Sequence, residues 1–205
     1  MRRLGILLSG RGSNFEAIAD SIDAGRIDAT IAVVISNREQ ARGLEAARQR
    51  RLNAVSIPSK GQDRNLYDRL LIDELRRNDV DLVCLAGFLR LLSAEFIQTF
   101  PQRVLNIHPS LLPAFPGLDS QHQALEHGVK LTGCTVHFVD QHLDSGPIIA
   151  QAAVPVLDGD TTETLSERIL REEHRIYTEA IALILSGDYV IDGRRVIRRA
   201  SDHAQ

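Results

Sequence analysis

The first half of the chain alternates short apolar runs with amphipathic stretches, and that alternation constrains the fold more than any other feature. LGILLS (4–9), ATIAVVISN (29–37), NAVSIPS (53–59) and DLVCLAG (81–87) read as strands. Between them NFEAIADSIDAG (14–25), ARGLEAARQR (41–50) and DRNLYDRLLIDELRRN (63–78) read as helices. DLVCLAG is apolar on both faces, as a central strand is when helices cover both sides of a sheet. Strand–helix–strand repetition requires parallel crossovers. It predicts an α/β fold: a doubly wound, mostly parallel, Rossmann-like sheet with helices on both faces.

The second half is less regular. RVLNIH (103–108) fits a fifth strand, followed by a proline-bearing loop and a short helix near SQHQALEHG (120–128). LTGCTVHFV (131–139) and PIIAQAAVPV (147–156) are β-rich and flank the polar loop DQHLDSG, so some antiparallel pairing is expected here. A long helix runs from about Thr161 to Leu185, with Asp160 and Glu163 spaced like a capping box. In the tail YVIDGRRVIRRA (189–200), Asp192-Gly193 separates two β-prone runs and predicts a hairpin. No repeat or linker divides the chain, so residues 1–205 are expected to form one domain, with a phosphate- or nucleotide-binding half over 1–100 and a catalytic half over 101–205.

Composition narrows the partners. A net charge of -3 supplies no basic excess to neutralise a nucleic-acid backbone, so nucleic acid is not expected as a partner. Cys84 and Cys134 each lie alone in an apolar run, which suits buried, reduced thiols better than metal ligands. The apolar run after Arg2 and Arg3 is too short for a signal-peptide core, and no segment reads as membrane-spanning. A cytoplasmic protein with no membrane partner is expected, either monomer or homodimer.

Three places carry chemistry. The first is SGRGSN, Ser9 to Asn14, between the first strand and first helix, where glycines let a tight turn aim free amides at an anion. The competing reading is a plain turn with Ser13 or Asn14 capping the helix. It is not a P-loop, because no Gly-Lys-Ser/Thr follows, and Phe15 stands where a dinucleotide fingerprint needs a third glycine. One phosphate of a small ligand fits better than a nicotinamide dinucleotide.

The second is LNIHPSLLPAFPG (105–117). Strand alternation sends Asn106 and His108 to one face, at the carboxyl end of a central strand where open α/β sheets bind ligands. The later loop QHLDSGP offers Asp144. An amide donor, an imidazole and a carboxylate suit acyl transfer to an amine, which needs oxyanion donors and a proton relay. No Gly-x-Ser-x-Gly nucleophile elbow appears, so direct attack without a covalent enzyme intermediate is expected. His137, His142 and Asp144 are too loosely spaced for a zinc site, no metal is expected, and His137 also reads as a satisfied structural histidine. The third is Glu173. It falls on the apolar stripe Leu165, Ile169, Ile176, Ala180 and Leu183, where a carboxylate needs either an internal arginine or a ligand's polar groups.

In that order SGRGSNFEAI, LAGFLRLLS, LNIHPSLLPAFPG, GCTVHFV and LDSGPIIAQ span about residues 4–185. Together they resemble the folate-dependent formyltransferase family, in its phosphoribosylglycinamide (glycinamide ribonucleotide) formyltransferase branch. The resemblance implies transfer of a formyl group from 10-formyltetrahydrofolate, as co-substrate, to the amine of 5'-phosphoribosylglycinamide in purine (IMP) biosynthesis. It implies catalytic roles for Asn106, His108 and Asp144, and contacts to glycinamide ribonucleotide from Gly12, Ser13, Asn14 and Glu173. It assigns the folate to Arg64, Leu89, Arg90, Leu91, Leu92, Asn106, Val139, Asp140, Gln141, Leu143 and Asp144, in the catalytic half for the later segments. Two related activities compete. Formyltetrahydrofolate deformylases usually carry an N-terminal regulatory domain, for which a first strand near residue 3 leaves no room. Methionyl-tRNA formyltransferases add a C-terminal domain, and here only about 20 residues follow the long helix. A fold-retaining binding protein without catalysis is the non-enzyme alternative, and the intact Asn, His and Asp set argues against it.

Overall fold

The computed structural model describes residues 1–199; Ala200, at the end of the expected hairpin run, and residues 201–205 of the expected domain lie outside them. The elements are β1 (Arg2–Leu8), α1 (Ser13–Asp23), β2 (Ala29–Ser36), α2 (Arg42–Gln49), β3 (Ala54–Ser56), α3 (Arg64–Arg77), β4 (Leu82–Leu85) and α4 (Ala94–Thr99). They continue as β5 (Val104–His108), α5 (Ser120–Glu126), β6 (Leu131–Phe138), β7 (Ile148–Pro155), α6 (Thr162–Ser186), β8 (Tyr189–Asp192) and β9 (Arg195–Arg198). All strands join one sheet in the order β3-β2-β1-β4-β5-β6-β7-β9-β8.

The first five strands are parallel, as the alternating pattern requires. β5–β6 and β6–β7 are antiparallel, and β8–β9 is the hairpin that Asp192-Gly193 predicts. The chain winds outward from β1 to β3 and then returns to place β4 on the other side of β1. Diverging connections at β1/β4 open a crevice at the carboxyl ends of these strands, the usual ligand site of such sheets.

Period-two alternation builds two cores. Leu4, Ile6 and Leu8 of β1, with Leu105 and Ile107 of β5, pack under α1 and α6. Leu7, Val83 and Val104 face the other side, under α3 and α4. On α6 the buried stripe is Leu165, Ile169, Glu173, Ile176, Tyr177, Ala180, Ile181 and Ile184, so Ile184 takes the place expected of Leu183. The Tyr177 hydroxyl, 3.0 Å from the Leu85 carbonyl oxygen and 3.2 Å from that of Leu105, shares its proton between β4 and β5. Both cysteines are buried, and burial pushes each thiol up to about 12.

Two local details differ from expectation. The α6 cap is Thr161, which exchanges hydrogen bonds with Thr164. Asp160, expected in that role, instead accepts from the Leu157 amide and pairs with Arg168. α4 is also new: six residues give too little periodicity to register, and Ser93 starts it by accepting from the Phe96 amide.

Candidate active site

Gly12 ends the turn after β1 in the left-handed region, with φ 83°, and a Cβ there would lie 2.6 Å from Gly43 Cα. Only glycine combines that conformation with so close a backbone approach. No side chain caps α1, so the plain capped turn considered for Ser13 or Asn14 does not form. The first-turn amides therefore keep the donors that attract an anion at a helix start. Asn14 turns inward, and its Nδ2 donates to Glu173 Oε2 at 2.7 Å. Glu173 is thus answered by an amide rather than an internal arginine. Burial raises its pKa, and the Asn14 hydrogen bond offsets part of that rise. Asn14 Oδ1 is buried with no partner among the described residues.

The crevice wall comes from the segment after β4. The Ser9 amide donates to the Gly87 carbonyl, and Ser9 Oγ accepts from the Leu89 amide at 2.9 Å. These two bonds fix Leu89 to Leu92 beside the glycine turn. Arg90 stacks 4.7 Å above the Tyr67 ring and donates to the Ser59 carbonyl, while Arg64 opens α3 nearby in sequence on an exposed turn. Asp68 accepts from the Ser93 amide and so anchors the far end of the segment.

Asn106 and His108 alternate with Leu105 and Ile107, and so point away from the α1/α6 core. His108 is buried and held at both ring nitrogens. Nε2 lies 2.9 Å from the Phe115 carbonyl oxygen and 3.1 Å from Ser120 Oγ. Nδ1 lies 3.4 Å from Asp144 Oδ2. A carbonyl only accepts, so Nε2 carries a proton.

Asp144 reaches this position because the β6–β7 connection folds back on itself. A Cβ on Gly146 would sit 1.9 Å from the Phe138 carbonyl oxygen, so only glycine lets the loop close there. Asp144 itself has φ 47°, and its Oδ2 accepts from the Gly117 amide at 2.8 Å. From the same loop Val139 donates its amide to the Val104 carbonyl, and Asp140 accepts from the His142 amide. Gln141 is exposed. Leu89, Leu91 and Leu143 are 55%, 56% and 51% exposed, in the segments that flank the polar cluster.

The catalytic and ribonucleotide-binding residues expected from sequence therefore fall into two groups. Gly12, Ser13 and Asn14 join Glu173 on the α1/α6 side, and Asn106, His108 and Asp144 converge on the opposite face. Sequence reasoning took Ser9 only as the start of the glycine turn, not as the acceptor that holds the wall, and missed Ser120 and the Phe115 carbonyl, which hold the imidazole. It also left His137 without a task, although His137 stands directly opposite Asn106 in the β5–β6 register with Nε2 3.2 Å from Asn106 Nδ2.

Comparison with known proteins places this geometry. The model of the family described as "Formyl transferase" matches residues 2–181. The phosphoribosylglycinamide formyltransferase of Escherichia coli (strain K12) is 44% identical over 183 residues, covering 89% of this chain and 86% of that protein. The trifunctional purine biosynthetic protein adenosine-3 of Drosophila melanogaster is 45% identical over 193 residues, of which this chain spans 14% of the length. Among solved structures, glycinamide ribonucleotide transformylase 1 from Symbiobacterium toebii superposes with a TM-score of 0.95 at 55% identity, covering 98% of this chain and 95% of that one. The chain belongs to the formyl transferase family, in its phosphoribosylglycinamide formyltransferase branch.

Proposed function

We propose that the protein transfers the formyl group of 10-formyltetrahydrofolate to the amine of 5'-phosphoribosylglycinamide, a cytoplasmic step of purine synthesis. The observation that carries this is the convergence of Asn106, His108 and Asp144 in one cluster at the carboxyl end of β5. The whole domain takes part, with residues 1–100 holding the phosphate and the later half holding the folate and the reacting atoms. The ribonucleotide phosphate lies on the amides of Gly12, Ser13 and Asn14, and Glu173 takes its ribose hydroxyls. Arg64, the segment Leu89–Leu92 and the loop Val139–Asp144 receive the folate, covering exposed leucines.

The amine attacks the formyl carbon, and the carbonyl π electrons move onto oxygen as the tetrahedral centre forms. Asn106 Nδ2–H and His108 Nε2–H stabilise that oxyanion. The formyl oxygen competes with the Phe115 carbonyl for the His108 Nε2 proton. Asp144 orients the imidazole through Nδ1 and, through water, relays the proton from the attacking amine to the departing folate nitrogen as the C–N bond to folate breaks. No covalent enzyme intermediate is needed.

The deciding assay supplies 10-formyltetrahydrofolate with and without the ribonucleotide, leaving water as the competing acceptor. Product that appears only with the ribonucleotide supports the transfer, and formate release without it points to a deformylase instead. Near-normal turnover in all of Asn106→Ala, His108→Ala and Asp144→Ala would remove the catalytic assignment.

A further inference from the structure

His137 has no step in the reaction above, yet it is 2% exposed and touches Asn106. Its two nitrogens face different groups. Nδ1 lies 2.8 Å from the Phe138 carbonyl oxygen, which can only accept, so Nδ1 bears a proton. Burial disfavours a second proton and lowers the pKa of the ring; against it, the Phe138 carbonyl and, at longer range, Asp144 and Asp140 favour the cation, and His108 opposes it. Asp144 Oδ1, at 3.7 Å from Nε2, is too distant to draw the proton onto that atom. Nε2 is therefore a lone pair aimed at the Asn106 amide 3.2 Å away.

That lone pair has a consequence for Asn106. An amide with Oδ1 toward Nε2 would oppose two acceptors, so the amide must present Nδ2. We propose that His137 is a positioning residue, a neutral acceptor that fixes the orientation of the Asn106 amide and leaves its second N–H as the free donor for the formyl oxygen. The proposal rests on the formyl-transfer reading of Asn106. A freely turning amide would present oxygen to the developing oxyanion part of the time, which repels where a donor should stabilise.

The first test uses the unaltered protein. In 15N NMR of ring-labelled histidine, His137 is expected as the Nδ1–H tautomer near neutral pH, and a proton on Nε2 overturns the proposal. The second is a double-mutant cycle. His137→Phe keeps the ring volume and removes the acceptor, so kcat should fall about ten-fold or more with KM for both substrates held within about two-fold. In the Asn106→Ala background the same change should cost nothing further, because no amide remains to orient. His137→Gln, whose carbonyl can accept, should recover part of the loss. Equal costs with and without Asn106 mean a general structural role and sink the idea. If Asn106→Ala alone leaves kcat unchanged, the catalytic reading of Asn106 fails, and the role given to His137 falls with it.

Discussion

Glu173→Gln separates the two halves of the site. The carboxylate is buried, and among the described residues its one hydrogen bond comes from Asn14 at 2.7 Å. Burial raises its folded pKa above the unfolded value. The folded state then holds its proton to higher pH than the unfolded chain does. This group's contribution to stability is full below the unfolded pKa and is lost as pH rises through the folded pKa. Glutamine preserves the shape and an acceptor for Asn14 but cannot ionise, so the variant should lose that decline. Its stability relative to the parent should rise as pH increases from the unfolded glutamate pKa of about 4.3 upward, measured by urea unfolding across a pH series. Binding should move the other way. If Glu173 accepts ribose hydroxyls as a charged acceptor, losing the charge costs about 1.5–3 kcal/mol, or roughly 10- to 150-fold in KM for the ribonucleotide. KM for the folate should stay put, since Arg64, Leu89–Leu92 and Val139–Asp144 do not contact Glu173. Equal rises in both KM values, or an unchanged ribonucleotide KM, would refute the assignment. A stability difference between variant and parent that does not change with pH would refute the electrostatic argument separately.

Asp144→Asn leaves an oxygen for the Gly117 amide but takes the anion from His108 Nδ1, so kcat should fall on the order of 10²-fold with little change in unfolding temperature. Steady-state kinetics beside a thermal melt tests both parts. Gly146→Ala forces a carbon to within 1.9 Å of the Phe138 carbonyl, so the loop must move and stability and kcat should drop together; retention of either contradicts the geometry. Tyr177→Phe strips one hydroxyl from between the Leu85 and Leu105 carbonyls and should cost about 1–3 kcal/mol in chemical unfolding. Both KM values should be unaffected, because Tyr177 lies in the core.

What could be read from sequence tracks the range of the interaction. The alternation of β1 to β4 with α1 to α3 is local, and so the parallel half of the sheet was legible. So was the shared face of Asn106 and His108, because strand alternation needs only nearest neighbours. Glu173 stood out as a charge on an apolar stripe, but its partner Asn14 is 159 residues away and no local pattern names it. Asp144 depended on a polar loop and on resemblance, since its approach to His108 requires φ 47° and the tight close at Gly146. Ser120 was illegible for a similar reason. The path from His108 to it passes through left-handed Phe115, Gly117 and Asp119, and three such residues redirect the chain in ways residue type alone does not foretell. His137 was hidden by register. Its pairing with Asn106 depends on which residues of β5 and β6 oppose each other, and a bulge between Val136 and His137 shifts the β6–β7 register beside it.

The division of the site across the sheet also constrains how such a protein can work. The glycine turn and Glu173 belong to the α1/α6 side, and alternation turns Asn106 and His108 to the other. A ligand that touches both must cross the carboxyl edge of the strands, anchored at one end and reacting at the other. Anchoring at a distance is what lets binding energy set the position of the amine, and positioning is worth several kcal/mol when a bimolecular step becomes effectively intramolecular. The anchor must then be stiff. Gly12 against Gly43, Asn14 against Glu173 and Ser9 against Gly87 and Leu89 are close contacts between segments distant in sequence, and each ties the glycine turn to a different element of the sheet or its helices. Stiffness on the anchoring side contrasts with the reacting side, where His108 is held by the carbonyl of a loop carrying three left-handed residues and by a carboxylate on another loop. Loops of that kind can exchange one acceptor for another as substrate arrives, which is what the proposed proton relay requires and the proposed phosphate anchor does not.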